Sequence, residues 1–168
     1  VTGRELLQKA GFLVVLFSTR VQRGREAILD HLLFLEVFEC RMQLLEILEE
    51  SNDKKPLRVV TQINTAQEIT PISKNAFKHI SKSVSAVLNQ AVLLKGINDT
   101  KVKMWKLCET IQESYVRPYY IFNCSYRNPQ FSHFRVPVEK GRDIVESMYG
   151  NISGDAIPRY IATAGGKI

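Results

Sequence analysis

The chain has no paired cysteines. Cys40, Cys108 and Cys124 are odd in number and far apart, so neither CxxC nor CxxxCxxC occurs, which argues against a disulfide scaffold. Such cysteine usage fits a reducing compartment, and a cytoplasmic protein is expected. Long apolar runs are also lacking. The longest, Phe12 to Phe17, falls far short of the roughly 20 residues of a membrane span. No small-residue cleavage site follows it, so neither a membrane partner nor a signal peptide is expected. His31, His79 and His133 show no metal-ligand spacing, and no metal site is expected from the chain's own residues. Ser153 stands in Ile-Ser-Gly, outside any GxSxG elbow. Gly165-Gly-Lys-Ile168 lacks the long glycine loop and the Ser or Thr of a P-loop.

What is present is ordinary globular material. The 168 residues are 45% hydrophobic, enough for a core of useful size. The 23 basic and 17 acidic residues give +6. The basic residues are scattered, with Lys54-Lys55 and Lys101/Lys103/Lys106 the densest groups, so they read as solvated helix faces and no nucleic-acid partner is expected. Val1 is not Met, and the chain stops just after a Gly-Gly pair, so both ends are expected to be cuts.

Along the chain, β-branched runs alternate with helical periodicity. Strands are expected over 57–63, 84–92, 117–123 and 159–162. Helices are expected over 73–82, from a cap at Asn98 or Asp99 to about Ser114, and over 137–149, the last with Pro at its start and Gly150 past its end. Arg25 to Ser51 carries apolar residues at helical spacing, and residues 1–20 have room for a helix and a short apolar strand. Strand–helix alternation at about 30 residues per unit predicts a parallel α/β sheet with right-handed crossovers. Four such strands do not close a barrel, so part of one is expected. Its uncovered edges and apolar surface predict poor stability or association.

In parallel barrels, ligands meet the carboxyl ends of the strands. Those ends carry Gln62 and Asn64, then Asn89 and Gln90, then Asn123, Cys124 and Ser125, then Thr163 to Lys167. Each either faces a ligand or satisfies loop backbone. No carboxylate pair stands among them, which argues against hydrolytic acid–base chemistry. Lys167 on a Gly165-Gly166 turn can approach a ligand closely and can join an aldehyde cofactor such as pyridoxal phosphate (PLP).

Several blocks then occur in order: Thr61-Gln-Ile-Asn64, Glu68-Ile-Thr70, Asn89-Gln-Ala-Val-Leu-Leu-Lys-Gly-Ile-Asn-Asp99, Val116-Arg-Pro-Tyr-Tyr-Ile-Phe-Asn-Cys124, Ser132-His-Phe-Arg-Val-Pro-Val-Glu-Lys-Gly141, Ser153-Gly-Asp-Ala-Ile-Pro158 and Gly165-Gly-Lys167. This series resembles the carboxyl-terminal half of radical S-adenosylmethionine (SAM) lysine and glutamate 2,3-aminomutases, from about Leu45 to Ile168. The resemblance implies an α/β fold, an incomplete parallel (β/α) barrel of the radical SAM type, over 45–168. Residues 1–44 are expected to be an unassigned, mainly helical amino-terminal region. It also implies an isomerase. A [4Fe-4S] cluster cleaves SAM to a 5′-deoxyadenosyl radical, which takes hydrogen from an amino acid held on PLP before the nitrogen migrates. By the same resemblance, Lys167 is the PLP lysine, on the turn of Gly165 and Gly166. Gln90 holds SAM, and Phe122 lies near the cofactors. Ser125 and Thr163 stand where the family binds the substrate's side chain. A small amino acid is the expected partner, with homo-oligomers as in the family.

The departures carry information. Phe122 replaces a Tyr of the lysine enzymes. Ser125 and Thr163 replace two aspartates that bind the lysine ammonium, and they match neither the Lys nor the Asn of the glutamate enzymes. The glycine turn is shorter, and Asn64-Thr65-Ala66 replaces a frequent Asn-His-Pro. Without CxxxCxxC the cluster ligands are not in this chain, and the family's PLP-phosphate arginines lie upstream. The chain alone is therefore expected to be inactive, as a fragment of a working enzyme. The alternative is a degenerate, non-catalytic relative acting as an interaction protein.

Overall fold

The structure is a computed structural model, and it describes residues 12–14, 44–125 and 129–162. Its elements begin and end where side chains can replace backbone partners. The helical stretch 44–54 (α1) hands over to the sheet through Asn52. The Oδ1 of Asn52 accepts from Leu57 N (2.9 Å), Ser85 N (3.0 Å) and Ser85 Oγ (2.8 Å). One amide oxygen thus ties the end of α1 to the starts of two strands. Thr70 caps the next helix, Pro71–Ser83 (α2): its Oγ1 accepts from Ser73 N (3.2 Å), and Ser73 Oγ accepts from Thr70 N (2.8 Å). Proline at the first helical position costs no hydrogen bond there. The third helix, Lys101–Gln112 (α3), is capped by Thr100 and not by Asn98 or Asp99, because those two side chains are engaged elsewhere. The fourth, Val138–Glu146 (α4), starts after Pro137 and stops short of the expected 149, passing through turns to Gly150 at φ +78°.

The strands are Phe12–Val14 (β1), Arg58–Thr61 (β2), Ala86–Leu93 (β3), Arg117–Asn123 (β4) and Arg159–Ile161 (β5). They pair in sequence order, β1-β2-β3-β4-β5, every pair parallel. The expected parallel α/β sheet is therefore present, and among the described residues no strand pairs with the outer edges of β1 and β5. β1 precedes the expected boundary at residue 44 and belongs to the same sheet. The expected helix from Arg25 to Ser51 is described only from 44 onward. Residues Pro129–Phe134 form a 3-10 helix.

One sheet face carries the core. Val59, Val87, Ala91, Leu93 and Ile121 meet Phe77 and Ile80 of α2, Met104, Leu107, Cys108 and Ile111 of α3, and Ile144 and Val145 of α4. The three- and four-residue spacing of these helical positions is the stripe a sheet-packed helix needs. Each fully buried aliphatic contributes about 1.5–3 kcal/mol over exposure. Trp105 donates to Ser147 Oγ (3.1 Å), linking α3 to the end of α4. At Gly141, α4 approaches so closely that a Cβ would collide with the ring of Tyr160 on β5.

The opposite face is more open. On β4, Tyr119, Tyr120 and Phe122 are half-buried, while Ile121 on the core side is buried. Val60 and Leu88 on this same face are buried, so its openness is local to Gln90, Tyr120 and Phe122.

Candidate functional site

The ladder between β3 and β4 is irregular at one place. Asn89 pairs with Pro118 but Gln90 pairs with Tyr120, leaving Tyr119 as the extra residue of a bulge. Beyond the bulge, Gln90 stands beside Tyr120, Val92 beside Phe122, and Phe122 beside Ile161 of β5. These positions alternate with the core positions Ala91, Leu93 and Ile121, so they share the open face. The rings of Tyr120 and Phe122 lie 5.5 Å apart. The open face therefore presents one amide and two aromatic rings toward the carboxyl ends of the strands.

The polar residues at those ends divide into two groups. Asn89 is consumed by structure: its Oδ1 accepts from Ile63 N (2.8 Å) and Thr61 Oγ1 (3.0 Å), and its Nδ2 donates to Ile63 O (3.0 Å). Asn64 Oδ1 accepts from Val92 N (2.8 Å). Glu68 Oε1 accepts from the backbone N–H groups of Asn64 (2.9 Å) and Thr65 (2.8 Å). Asn98, 1% exposed, accepts from Leu94 N (2.7 Å) and donates to Asn64 O and Val92 O (both 2.9 Å). These groups satisfy backbone that a buried loop would otherwise leave unpaired.

Gln90 belongs to the second group. It is half-buried, and among the described residues no hydrogen bond engages its side chain. Asn123 at the end of β4 is 8% exposed, with neither amide atom hydrogen-bonded among the described residues. Ser125 is exposed just beyond it. Cys124 is buried, its Sγ 3.8 Å from Phe131 O. Thr163, Gly165, Gly166 and Lys167 lie outside the described residues, which end beside Phe122 through the Phe122–Ile161 pair. The structure thus brings Gln90 and Phe122 to one face.

Sequence reasoning missed the ion pair of Asp99 with Lys140 (2.7 Å). Asp99 Oδ1 also accepts from Gly96 N (2.9 Å). The hydrogen bond from Lys140, aided by Gly96 and opposed by burial, holds the Asp99 carboxyl below its ordinary range. Its Asn-Asp spacing was legible, but it pointed to a helix cap. Cys108 is no nucleophile: burial, with Glu109 beside it, pushes the thiol up to about 12. Among the described residues no group of His, Cys, Asp or Glu is placed to hold a metal ion, and no helix is long and apolar enough to cross a membrane.

An all-parallel sheet with a free amide and aromatic rings near its strand carboxyl ends has the construction of an α/β ligand-binding protein. No family model matches the chain. It is 43% identical over 116 residues to the L-lysine 2,3-aminomutase of Methanococcus maripaludis, covering 67% of this chain and 27% of that protein. With the Bacillus subtilis enzyme of the same name it shares 40% over 128 residues, 74% of this chain and 26% of the relative. With the glutamate 2,3-aminomutase of Clostridioides difficile it shares 39% over 115 residues, 67% and 27% respectively. A radical SAM methyltransferase from Sphaerobacter thermophilus superposes with a TM-score of 0.47 at 12% identity, over 73% of this chain and 39% of that one. Over its matched region this chain is similar to the lysine and glutamate 2,3-aminomutases, a partial match to that family. The chain spans about a quarter of the length of these curated relatives.

Proposed function

We propose that this chain is the carboxyl-terminal, PLP-bearing part of a radical SAM amino acid 2,3-aminomutase. The observation that carries the reading is the kinship with lysine and glutamate 2,3-aminomutases over two thirds of the chain. The open face supports it, because its unengaged Gln90 amide and the neighbouring Phe122 offer a polar contact and a ring for a nucleoside. In this reading Gln90 binds SAM by hydrogen bonds and Phe122 packs against the cofactors. Lys167 anchors PLP while Gly165 and Gly166 keep the turn clear of side chains. When bound, these cofactors supply the radical and the carbonyl chemistry that moves an amino group between adjacent carbons.

The chain's own residues do not fit the iron–sulfur cluster. Three thiolates in CxxxCxxC spacing are absent, and Cys108 and Cys124 are buried singly. The cluster therefore has to be held elsewhere. The 168-residue chain, reconstituted anaerobically with iron, sulfide, PLP and SAM, is expected to give no turnover, and turnover would overturn that part of the reading.

Substrate choice follows from Ser125 and Thr163, which present no charge. The substrate class is an α-amino acid with a neutral side chain. A substrate's distal ammonium or carboxylate would find no counterion at these two positions. The test is product analysis with the whole chain that its gene encodes, under anaerobic reducing conditions. Formation of the β-isomer from a neutral amino acid in preference to lysine or glutamate supports the reading. Equal or better turnover of lysine overturns the substrate assignment, and no β-isomer from any amino acid overturns the function.

A further inference from the structure

We infer that Asn64 and Asn98 are positioning residues for Gln90, holding the carboxyl end of β3 along the edge that β2 does not reach. This rests on Gln90 as a contact to SAM. β2 ends at Thr61, opposite Asn89, so β3 runs on past it with one side lacking a backbone partner. Side-chain amides take the place of that strand. Asn64 Oδ1 receives Val92 N–H at 2.8 Å, and Asn98 Nδ2 donates to Val92 O at 2.9 Å. Asn98 also receives Leu94 N–H and donates to the Asn64 carbonyl, so the two asparagines form one unit.

Gln90 lies opposite the bulge, pairing with Tyr120 just past the extra Tyr119 of β4, where the ladder loses its regular pairing. A residue beside such a break has less ladder to hold it, and Gln90 is fixed from both sides along its own strand. Before it, Asn89 is clamped to Ile63 through both amide atoms. Two residues after it, Val92 is clamped by Asn64 and Asn98. Asn98 is 1% exposed and spends all of its amide on backbone, so it acts through Gln90 and not on the ligand.

The test is SAM affinity, measured by equilibrium binding to the whole chain that the gene encodes, for Asn64→Ala, Gln90→Ala and the double variant. Each single change is expected to weaken SAM about tenfold, and the double also about tenfold, because residues that act as a unit are not additive. PLP retention in the same samples stays at the wild-type level. A double variant weakened about a hundredfold, the additive result, overturns the inference, as does unchanged affinity in Asn64→Ala. Asn98→Ala is expected to behave like Asn64→Ala, and if it does not fold, the half-buried Asn64 decides alone. Unchanged affinity in Gln90→Ala identifies the failure of the Gln90 reading itself, and the inference falls with it.

Discussion

The two faces of this sheet are built differently. On one, α2, α3 and α4 lay regular apolar stripes over Val59, Val87, Ala91, Leu93 and Ile121. On the other, Gln90, Tyr120 and Phe122 are half-buried. The contrast separates the work of the two sides. Stability resides where side chains interdigitate, and a face with an unengaged amide and partly exposed rings is available for ligands. The carboxyl ends of the strands repeat the division within a few residues: Asn64, Asn89 and Asn98 serve the backbone, and Gln90 serves nothing among the described residues.

Substitutions on the two faces sharpen the comparison most. Leu107→Ala empties a position 1% exposed and is expected to cost about 2–5 kcal/mol in urea unfolding. Phe122→Ala, half-buried on the open face, is expected to cost about 1 kcal/mol. Equal losses would mean that the open face is a second core. Gly141→Ala comes next. The new methyl would meet the Tyr160 ring, and overpacking of this kind costs about 1–3 kcal/mol, seen as a lowered urea midpoint. An unchanged midpoint would show that α4 does not pack closely on β5.

Asp99→Asn tests the turn that holds α4 to the end of β3. It is expected to cost about 1 kcal/mol at neutral pH, since Lys140 is 46% exposed and partly screened. The folded carboxyl titrates below its unfolded value of about 3.9. Its stabilisation is therefore complete above that value and fades as pH falls through the folded one. The gap between wild type and Asp99→Asn should close on going from pH 7 to pH 3, and a gap that widens would contradict the ion pair. The smallest effect expected is at Cys108. With its thiol pushed up to about 12, it should resist iodoacetamide at pH 8 in the native protein and react only after unfolding. Rapid native labelling would show that the core face is not closed.

The sheet was legible because its strands are β-branched runs separated by helical periodicity. Arg117–Asn123 coincides with its expected range, and the others differ by a few residues at their ends. The bulge at Asn89/Gln90 was not legible, since register depends on the partner strand. Nor was the division among the strand-end amides. Asn64, Gln90 and Asn98 are chemically alike in sequence, and only the loop backbone beside each shows which is engaged. Asn98 and Asp99 read as a helix cap because both residue types favour caps. The folded turn spends them on Val92, Leu94 and Lys140, leaving the cap to Thr100. The roles of Lys167, Gly165, Gly166 and Thr163 come from motif order and family kinship, since those residues lie beyond the described ones.

The central claim is that the open face serves a cofactor anchored at Lys167. It is tested most directly by incubating the whole chain with PLP, reducing with borohydride and locating the pyridoxyl group by peptide mass spectrometry. The account predicts stoichiometric modification at Lys167 and its loss in Lys167→Ala. Modification spread over surface lysines such as Lys54 and Lys101, with Lys167 unmodified, would contradict it.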